Sequence, residues 1–387
     1  MKFVIAPDSF KGSLTAVQVG DTMARALLQE IPSAEVNVIP MADGGEGTVD
    51  ALVKATGGSV FQVQAAGPRG ELVDTYFGVI VDRGEPTAVI EAANVIGLPM
   101  VPKEHRNPLH TSTRGLGEII RSALDQGYRR LIIGLGGSST NDGGLGLLSA
   151  LGARFSSKKG RIAEGFGREL GQLVEADLKG LDPRLGECRI TIASDVTNPL
   201  LGLEGASYIF GPQKGATPEL VVQLDKDMKS YADLLEGQLS RSLRELPGAG
   251  AAGGLGFALL ALGANMVPGA QLVEEMSDLK LRIEDADWVI TGEGRSDGQT
   301  LFGKLPYHVA QLAAEAGKEA ILISGGLGEG SEKLAPFFAG CFSVVRGPST
   351  LDECMEDAEN NLFQCTLNVA RLLYKASHRM KGGIARS

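Results

Sequence analysis

Strand–helix–strand patterns at both ends of the chain constrain the fold more than any other feature of the sequence. An apolar run at residues 2–6 is followed by an amphipathic helix that begins after Thr15, and a second strand-like run lies at 35–41. Such a unit places its two strands in parallel with a right-handed crossover. The same pattern returns near the C-terminus in three strand-like runs: 287–291, 319–323 and 341–345.

The two ends are therefore predicted to form one discontinuous α/β domain. A helix beginning near Pro306 separates the first two C-terminal runs, and a long helix is predicted at about 352–376. We predict that residues 1–55 and 285–387 build a Rossmann-like domain with a parallel sheet, because alternating strands and helices are typical of that architecture.

The middle of the chain, residues 56–284, is predicted to be an inserted second α/β domain. Helices are predicted around 115–127 and 143–151. Two further runs, 131–135 and 189–193, are strand-like, but the pattern leaves open which sheet receives them. Short runs separated by glycine and proline turns indicate an antiparallel meander: they lie at 59–65, 73–81 and 87–92.

Composition limits the class of protein. The 387 residues carry 37 basic and 47 acidic side chains, a formal charge of −10, with no basic cluster, so neither nucleic acid nor a membrane is expected as a partner. The N-terminal apolar run is too short for a signal peptide, and no run of about 20 apolar residues occurs. The four cysteines show no metal-binding spacing. These features favour a cytoplasmic protein.

Glycine is about twice as frequent as usual, at 53 of 387 residues. Many of these glycines lie in loops that follow predicted strands, where ligands bind in open α/β sheets. Five of six such loops also contain a carboxylate. Carboxylates hold Mg²⁺ or accept a proton, and loop N–H groups bind phosphate, so the set favours phosphoryl transfer over simple turn chemistry. The loops begin at residues 8, 42, 136, 194, 292 and 324.

Two glycine motifs match known patterns without their usual context. The segment 248–253 fits G-x-G-x-x-G but does not follow a predicted strand, so close packing at a helix start is favoured over dinucleotide binding. The segment 298–304 fits G-x-x-x-x-G-K, but Leu305 replaces the Mg²⁺-binding hydroxyl. We reject a standard P-loop there and keep Lys304 as a candidate phosphate contact. Lys11 and Lys214 also lie in glycine-rich loops, although such lysines are more often exposed.

Seven segments, taken together and in order, resemble the type 1 glycerate kinase family. They are IAPDSFKGSL, ADGGEGTVDAL, GLGGSSTNDGGLG, SDVTNPLLG, FGPQKGA, PGAGAAGGLG and VITGEGRSDGQTLFGK. The resemblance extends from residue 2 to about 375. It implies two α/β domains with an interdomain active-site cleft, and ATP-dependent phosphorylation of D-glycerate with Mg²⁺, most often at the 2-hydroxyl. The residues carried over are Asp8, Ser9, Lys11, Asp43, Glu46, Ser138, Asn141, Asp142, Asp195, Lys214, Glu293, Asp297 and Lys304.

Roles for these residues follow from chemistry. We predict Asp195 as the general base, with Asp8 as the alternative, and Glu293 and Asp297 as Mg²⁺ contacts. Lys11 is a further catalytic candidate. Lys11, Arg114 and the N–H groups around Ser138–Gly143 are candidate clamps for the substrate carboxylate. The remaining carried-over residues are predicted to bind substrate or phosphate.

Two other functions fit the sequence less well than a kinase does. An NAD-dependent dehydrogenase is disfavoured because the turn after the first strand lacks G-x-G-x-x-G. A non-catalytic sensor of nucleotides or sugar acids would not need so many carboxylates. Pattern alone does not decide between the 2- and 3-phosphate product, or between a monomer and a homodimer.

Overall fold

The computed structural model describes residues 1–383, and the side chains of residues 1–377. The strands of this part are β1 (Lys2–Ile5), β2 (Glu35–Val38), β3 (Ser59–Ala66), β4 (Leu72–Asp82), β5 (Glu85–Glu91), β6 (Arg130–Gly134), β7 (Arg154–Ser157), β8 (Leu173–Asp177), β9 (Arg189–Ala193), β10 (Asn265–Val267), β11 (Trp288–Thr291), β12 (Arg295–Ser296), β13 (Glu319–Ser324), β14 (Gly326–Leu327) and β15 (Gly340–Ser343). Its α-helices are α1 (Ala16–Glu30), α2 (Thr48–Thr56), α3 (Ala93–Ile96), α4 (Arg114–Asp125), α5 (Leu145–Ala150), α6 (Ala206–Phe210), α7 (Pro218–Leu239), α8 (Ala251–Ala261), α9 (Gly269–Met276), α10 (Leu279–Glu284), α11 (Leu305–Glu315), α12 (Leu351–Glu356) and α13 (Ala358–Gly383).

The chain divides into two compact units. The first comprises Met1–Ala42, Asp50–Thr56 and the chain from Val273 onward, and the second comprises Asp43–Val49 and Gly57–Leu272. Both mix helices with parallel strands, which confirms the α/β class. No helix in the described residues is long and apolar enough to cross a membrane.

The first unit contains a five-stranded, entirely parallel sheet in the order β15-β13-β11-β1-β2. Val4 of β1 lies opposite Asn37 of β2 on one side and Val289 of β11 on the other. The chain therefore leaves β1 in one direction through α1 and later continues from β11 in the other direction through α11. Right-handed crossovers in opposite directions put these helices on opposite faces of the sheet. This is the doubly wound arrangement expected from the sequence.

The helix α1 shows how the sequence specifies this unit. Thr15 accepts a hydrogen bond from the backbone of Gln18, whose side chain accepts one from the backbone of Thr15, so the predicted capping box is present. Val19, Met23 and Leu27 share one helical face and pack into a core with the apolar side chains of β1 and β11. Burial of this face holds α1 against the sheet.

The second unit contains a six-stranded mixed sheet in the order β10-β9-β6-β5-β4-β3. Strands β3, β4 and β5 pair antiparallel, which confirms the predicted meander. Strands β6 and β9, whose sheet the pattern left open, pair in parallel with each other and extend this sheet. Its core is aliphatic, with Ile90, Ile133 and Ile192 from adjacent parallel strands fully buried.

Two features differ from the sequence expectations. The predicted long C-terminal helix is interrupted, since α12 ends at Glu356 and α13 begins at Ala358. The 22-residue α7 was not predicted, although Thr217 caps it and its buried side chains Val221, Leu224, Met228, Tyr231 and Leu235 follow helical spacing.

Candidate functional site

The first unit brings three loops together at the carboxyl ends of β1, β11 and β13. The backbone N–H of Asp8 donates to the Gly292 carbonyl oxygen at 2.8 Å, and that of Gly325 donates to the Glu293 carbonyl oxygen at 3.0 Å. The β1–β11 pair is the point at which the strand order reverses, where open α/β sheets bind ligands. The carboxylate of Asp8 accepts from the N–H of Ser9 at 2.6 Å, and Lys11 is exposed.

Glu293 is the centre of a buried polar cluster in this unit. The residue is 7% exposed, and its Oε1 accepts from the hydroxyls of Ser296 at 3.0 Å and Thr300 at 2.7 Å. Its Oε2 lies 3.2 Å from Nζ of Lys304. Both carboxylate oxygens therefore have donors, and Glu293 is fixed in orientation.

Asp297 and Lys304 flank this cluster and are more accessible. Asp297 caps a 3₁₀ turn at Gly298–Phe302 by accepting from the N–H of Gln299 at 2.9 Å. Nζ of Lys304 lies 3.8 Å from Asp297 Oδ1, and the lysine side chain is 36% exposed. Lys304 is thus a cation held between the two predicted Mg²⁺ contacts.

The donor chemistry of this cluster fits Mg²⁺ in part. Carboxylate oxygens are the ligands that Mg²⁺ takes from proteins, usually one or two at a time beside substrate phosphates. Asp297 fits this role better than Glu293, because both Glu293 oxygens already bind Ser296, Thr300 and Lys304. Among the described residues no group of three or more His, Cys, Asp or Glu side chains could hold a metal ion.

The second unit brings together the loops that follow β6 and β9 and the segment Asp43–Val49. Gly44 has a φ of +86°, and a side chain there would collide with the Ala193 carbonyl at the end of β9. Its own carbonyl oxygen accepts from the N–H of Gly136 at 3.0 Å. This close approach requires glycine. The exposed carboxylates of Asp43 and Glu46 are therefore anchored beside the Gly136 loop.

Asp142 organises the loop after β6 from inside. It is fully buried and accepts hydrogen bonds from the N–H and hydroxyl of Thr113, both at 2.8 Å, and from the N–H groups of Gly144 and Gly146, both at 3.2 Å. Burial raises the pKa of Asp142, while these hydrogen bonds oppose the rise. With every oxygen engaged, Asp142 positions the loop that carries Ser138 and Asn141.

Lys214 is buried against the same loop. Its side chain is 2% exposed, and Nζ donates to the Thr140 carbonyl oxygen at 2.6 Å and to the Ser138 hydroxyl at 3.2 Å. Loss of hydration lowers the pKa of Lys214 from its usual 10.5 to about 7, and the nearby charge of Asp142 partly opposes this. Such a perturbed amine beside glycine-rich loops is typical of a functional site.

Asp195 and Arg114 are the remaining candidates of the second unit. Asp195 is exposed after β9, and its Oδ1 accepts from the N–H of Gly269 at the start of α9, at 3.0 Å. The guanidinium of Arg114 pairs with Glu118 one turn along α4, with Nε 3.0 Å from Oε1. The side chain of Arg114 is thus engaged on the helix surface rather than with the Ser138 loop.

Three supporting residues were missed by sequence reasoning. Glu91 is buried at the end of β5 and accepts from the N–H groups of Gly47 and Val49, at 3.0 and 3.1 Å, which fixes the start of α2. Thr113 and Thr300 bind the buried carboxylates described above. A charged residue closing a buried strand was a readable signal for Glu91, but the threonines gave none.

The G-x-G-x-x-G segment packs against the same loop of the second unit, as predicted. Gly253 has a φ of +70°, and a side chain there would collide with the Thr140 carbonyl oxygen. The N–H of Gly143 donates to the Gly253 carbonyl oxygen at 3.0 Å. Gly253, in the non-helical first turn of α8, therefore supports the loop carrying Ser138 and Asn141.

Comparison with known proteins gives one consistent result. The profile of the glycerate kinase family matches residues 3–374. A "Glycerate kinase" from Halalkalibacterium halodurans is 44% identical over 95% of this chain and 97% of its own length. A "Glycerate 2-kinase" from Escherichia coli is 44% identical over 96% of this chain and 98% of its own. The crystal structure of a candidate glycerate kinase 2 from Salmonella typhimurium LT2 superimposes with a TM-score of 0.84 at 44% identity, covering 98% of this chain and 99% of that one.

Proposed function

The chain belongs to the glycerate kinase family and is a kinase, and from this premise we propose that it transfers the γ-phosphoryl group of ATP to the 2-hydroxyl of D-glycerate. The observation that carries the proposal is the family match over residues 3–374. The strand-end loops support it, because they supply carboxylates, cations and backbone N–H groups at ligand-binding positions. We further propose that the enzyme acts in the cytoplasm, as a monomer or a homodimer.

The first unit is proposed to bind the nucleotide phosphates. Lys304 is exposed enough to contact a phosphate oxygen, and its carboxylate partners hold it in place. Asp297, with Glu293 behind it, is proposed to contact Mg²⁺ that arrives with ATP. When bound, this ion would neutralise charge on the phosphates. Asp8, Ser9 and Lys11, on the adjacent loop, are proposed to contact the transferring group.

The second unit is proposed to bind the acceptor. Asp195 is the proposed general base, because its carboxylate is exposed and held by the N–H of Gly269, with Asp8 as the alternative. The hydroxyl proton passes to the carboxylate as the hydroxyl oxygen bonds to the γ-phosphorus. The bond to the bridging oxygen breaks, and ADP leaves with that electron pair.

An ADP-release assay tests the reaction. We expect Mg²⁺-dependent ADP formation when D-glycerate is present and none with ATP alone. Absence of turnover by the folded protein would refute the proposed activity.

The position of phosphorylation needs a separate assay. If the product is 2-phosphoglycerate, enolase converts it promptly to phosphoenolpyruvate without added phosphoglycerate mutase. A requirement for mutase would show instead that the 3-hydroxyl is phosphorylated.

A further inference from the structure

The environment of Lys214 is unusual for a buried cation, because none of the described residues forms an ion pair with it. Its ammonium has three N–H donors, and the two acceptors found in the described residues are the Thr140 carbonyl and the Ser138 hydroxyl, both neutral. A buried ammonium without a compensating charge is unfavourable. The site is therefore electrostatically incomplete and favours an added anion.

The charged groups around Lys214 supply only part of that compensation. Asp142, on the facing loop, acts on Lys214 only through space, since its oxygens bind Thr113, Gly144 and Gly146. The guanidinium of Arg106, on the segment behind the lysine turn, donates to the Val101 carbonyl oxygen at 3.2 Å. The helix α6 faces the loop with the neutral hydroxyl of Ser207.

An unsatisfied acceptor lies next to the lysine contacts. Asn141 is completely buried, and its Nδ2 donates to the Ser207 hydroxyl at 3.0 Å, while its Oδ1 has no hydrogen-bond partner within the described part of the chain. The hydroxyl of Thr140 is also buried without a partner. Buried polar atoms are rarely left unpaired. A ligand hydroxyl would satisfy Asn141, and a ligand carboxylate would satisfy Lys214, so a small hydroxy acid provides both groups.

We propose that Lys214 binds the carboxylate of the acceptor substrate, that Asn141 accepts a hydrogen bond from one of its hydroxyls, and that the amine takes up a proton from solvent as the carboxylate binds. This inference rests on the proposed function for the identity of the substrate. It adds a specificity residue and a linkage between substrate binding and pH.

The number of protons taken up on substrate binding follows from the pKa of Lys214. With the pKa of Lys214 at about 7 in the free protein, about nine in ten molecules carry the neutral amine at pH 8. A bound carboxylate stabilises the ammonium form, so binding should take up about 0.9 proton at that pH. Above pH 7 the dissociation constant for D-glycerate should rise about tenfold per pH unit.

Calorimetry of the full chain tests the proposal. D-Glycerate is titrated at pH 8 in HEPES and in Tris, with Mg²⁺ and a non-hydrolysable ATP analogue present, and the dependence of the heat on buffer ionisation gives the proton uptake. The KM for D-glycerate between pH 7 and 9 provides a second measurement. We expect uptake near one proton and a rising KM in the wild type.

Three variants assign the effect to this residue. Lys214→Met should abolish the uptake and weaken D-glycerate binding on the order of 100-fold. Lys214→Arg keeps the charge at every pH, so its KM should be independent of pH in this range. One of the exposed lysines of α7, changed as Lys226→Met, is the matched control and should behave as the wild type.

The outcomes separate this inference from the proposed function. Normal turnover with D-glycerate but no proton uptake in the wild type would overturn the role of Lys214, and so would uptake that persists in Lys214→Met. No turnover with D-glycerate in the wild type would instead refute the proposed function, and this inference with it.

Discussion

Replacing Lys214 should make the stability of the protein respond differently to pH, because this amine loses hydration on folding. Its pKa falls from the usual 10.5 to about 7, so the unfolded chain binds more protons than the folded one between these values. Stability therefore rises with pH across this window. Below pH 7 both states are protonated, and the whole penalty for burying the charge is present.

The size of this change in stability follows from the lowered pKa of Lys214. Between pH 7 and pH 9 the folded amine is mostly neutral, so stability recovers by the equivalent of two pKa units, or about 3 kcal/mol. A methionine of similar length has no charge to bury. We therefore expect the stability advantage of Lys214→Met over the wild type to shrink by about 3 kcal/mol between pH 6 and pH 9.

Urea unfolding followed by circular dichroism at both pH values measures this change. Taking the difference between variant and wild type removes the contribution of other titrating groups, provided that the slopes with urea agree. The exposed Lys226→Met is the control and should show no pH-dependent difference. A pH response of Lys214→Met equal to that of the wild type would show that the buried amine does not titrate in this range.

Three further predictions concern the candidate site. Asp195→Asn should lower kcat by about 10²–10⁴-fold without loss of fold, because Asn can still accept from Gly269; a near-normal kcat would remove Asp195 as the base. Lys304→Met should raise the KM for ATP about tenfold or more with little change in the KM for glycerate, and equal changes in both would contradict its phosphate role. Gly253→Ala should lower the free energy of unfolding in urea by about 2 kcal/mol or more and should lower kcat. The control Gly263→Ala has a similar φ of +85° but no atom within 4 Å of the added carbon, so it should cost only about 1 kcal/mol. Equal effects of the two variants would exclude the collision with Thr140.

The sequence predicted the parallel sheet of the first unit because its determinants are local. Apolar runs such as 2–6 and 287–291 are bounded by glycine, proline or aspartate, and the capping box at Thr15 defines the intervening helix. The placement of β6 and β9 could not be predicted in the same way. The parallel strands β6 and β9 are mostly apolar on both faces, so the pattern carries little information about which strand lies beside each of them.

The candidate residues show the same division between local and non-local information. The loops at strand ends were predictable, because glycine and aspartate directly after an apolar run mark the point where a strand ends and a loop begins. The expectation that a lysine in a glycine-rich loop is exposed holds for Lys11 but is wrong for Lys214. Burial of Lys214 depends on the Ser138 loop, which lies more than 70 residues earlier in the chain, and no local pattern records that contact.

Lys304 and Lys214 lie in different surroundings, and each of these suits the ligand proposed for that lysine. Lys304 is partly exposed and lies near two carboxylates, so its positive charge is maintained. When a phosphate replaces one of these carboxylates, Lys304 still has a negatively charged partner. Lys214 is buried with neutral acceptors, so its full charge requires an anion. A neutral hydroxy compound would leave the amine of Lys214 uncharged and lose the main attraction to this site. The buried charge of Lys214 is unfavourable below pH 7 in the protein without substrate, and for the same reason Lys214 selects for a carboxylate in the acceptor.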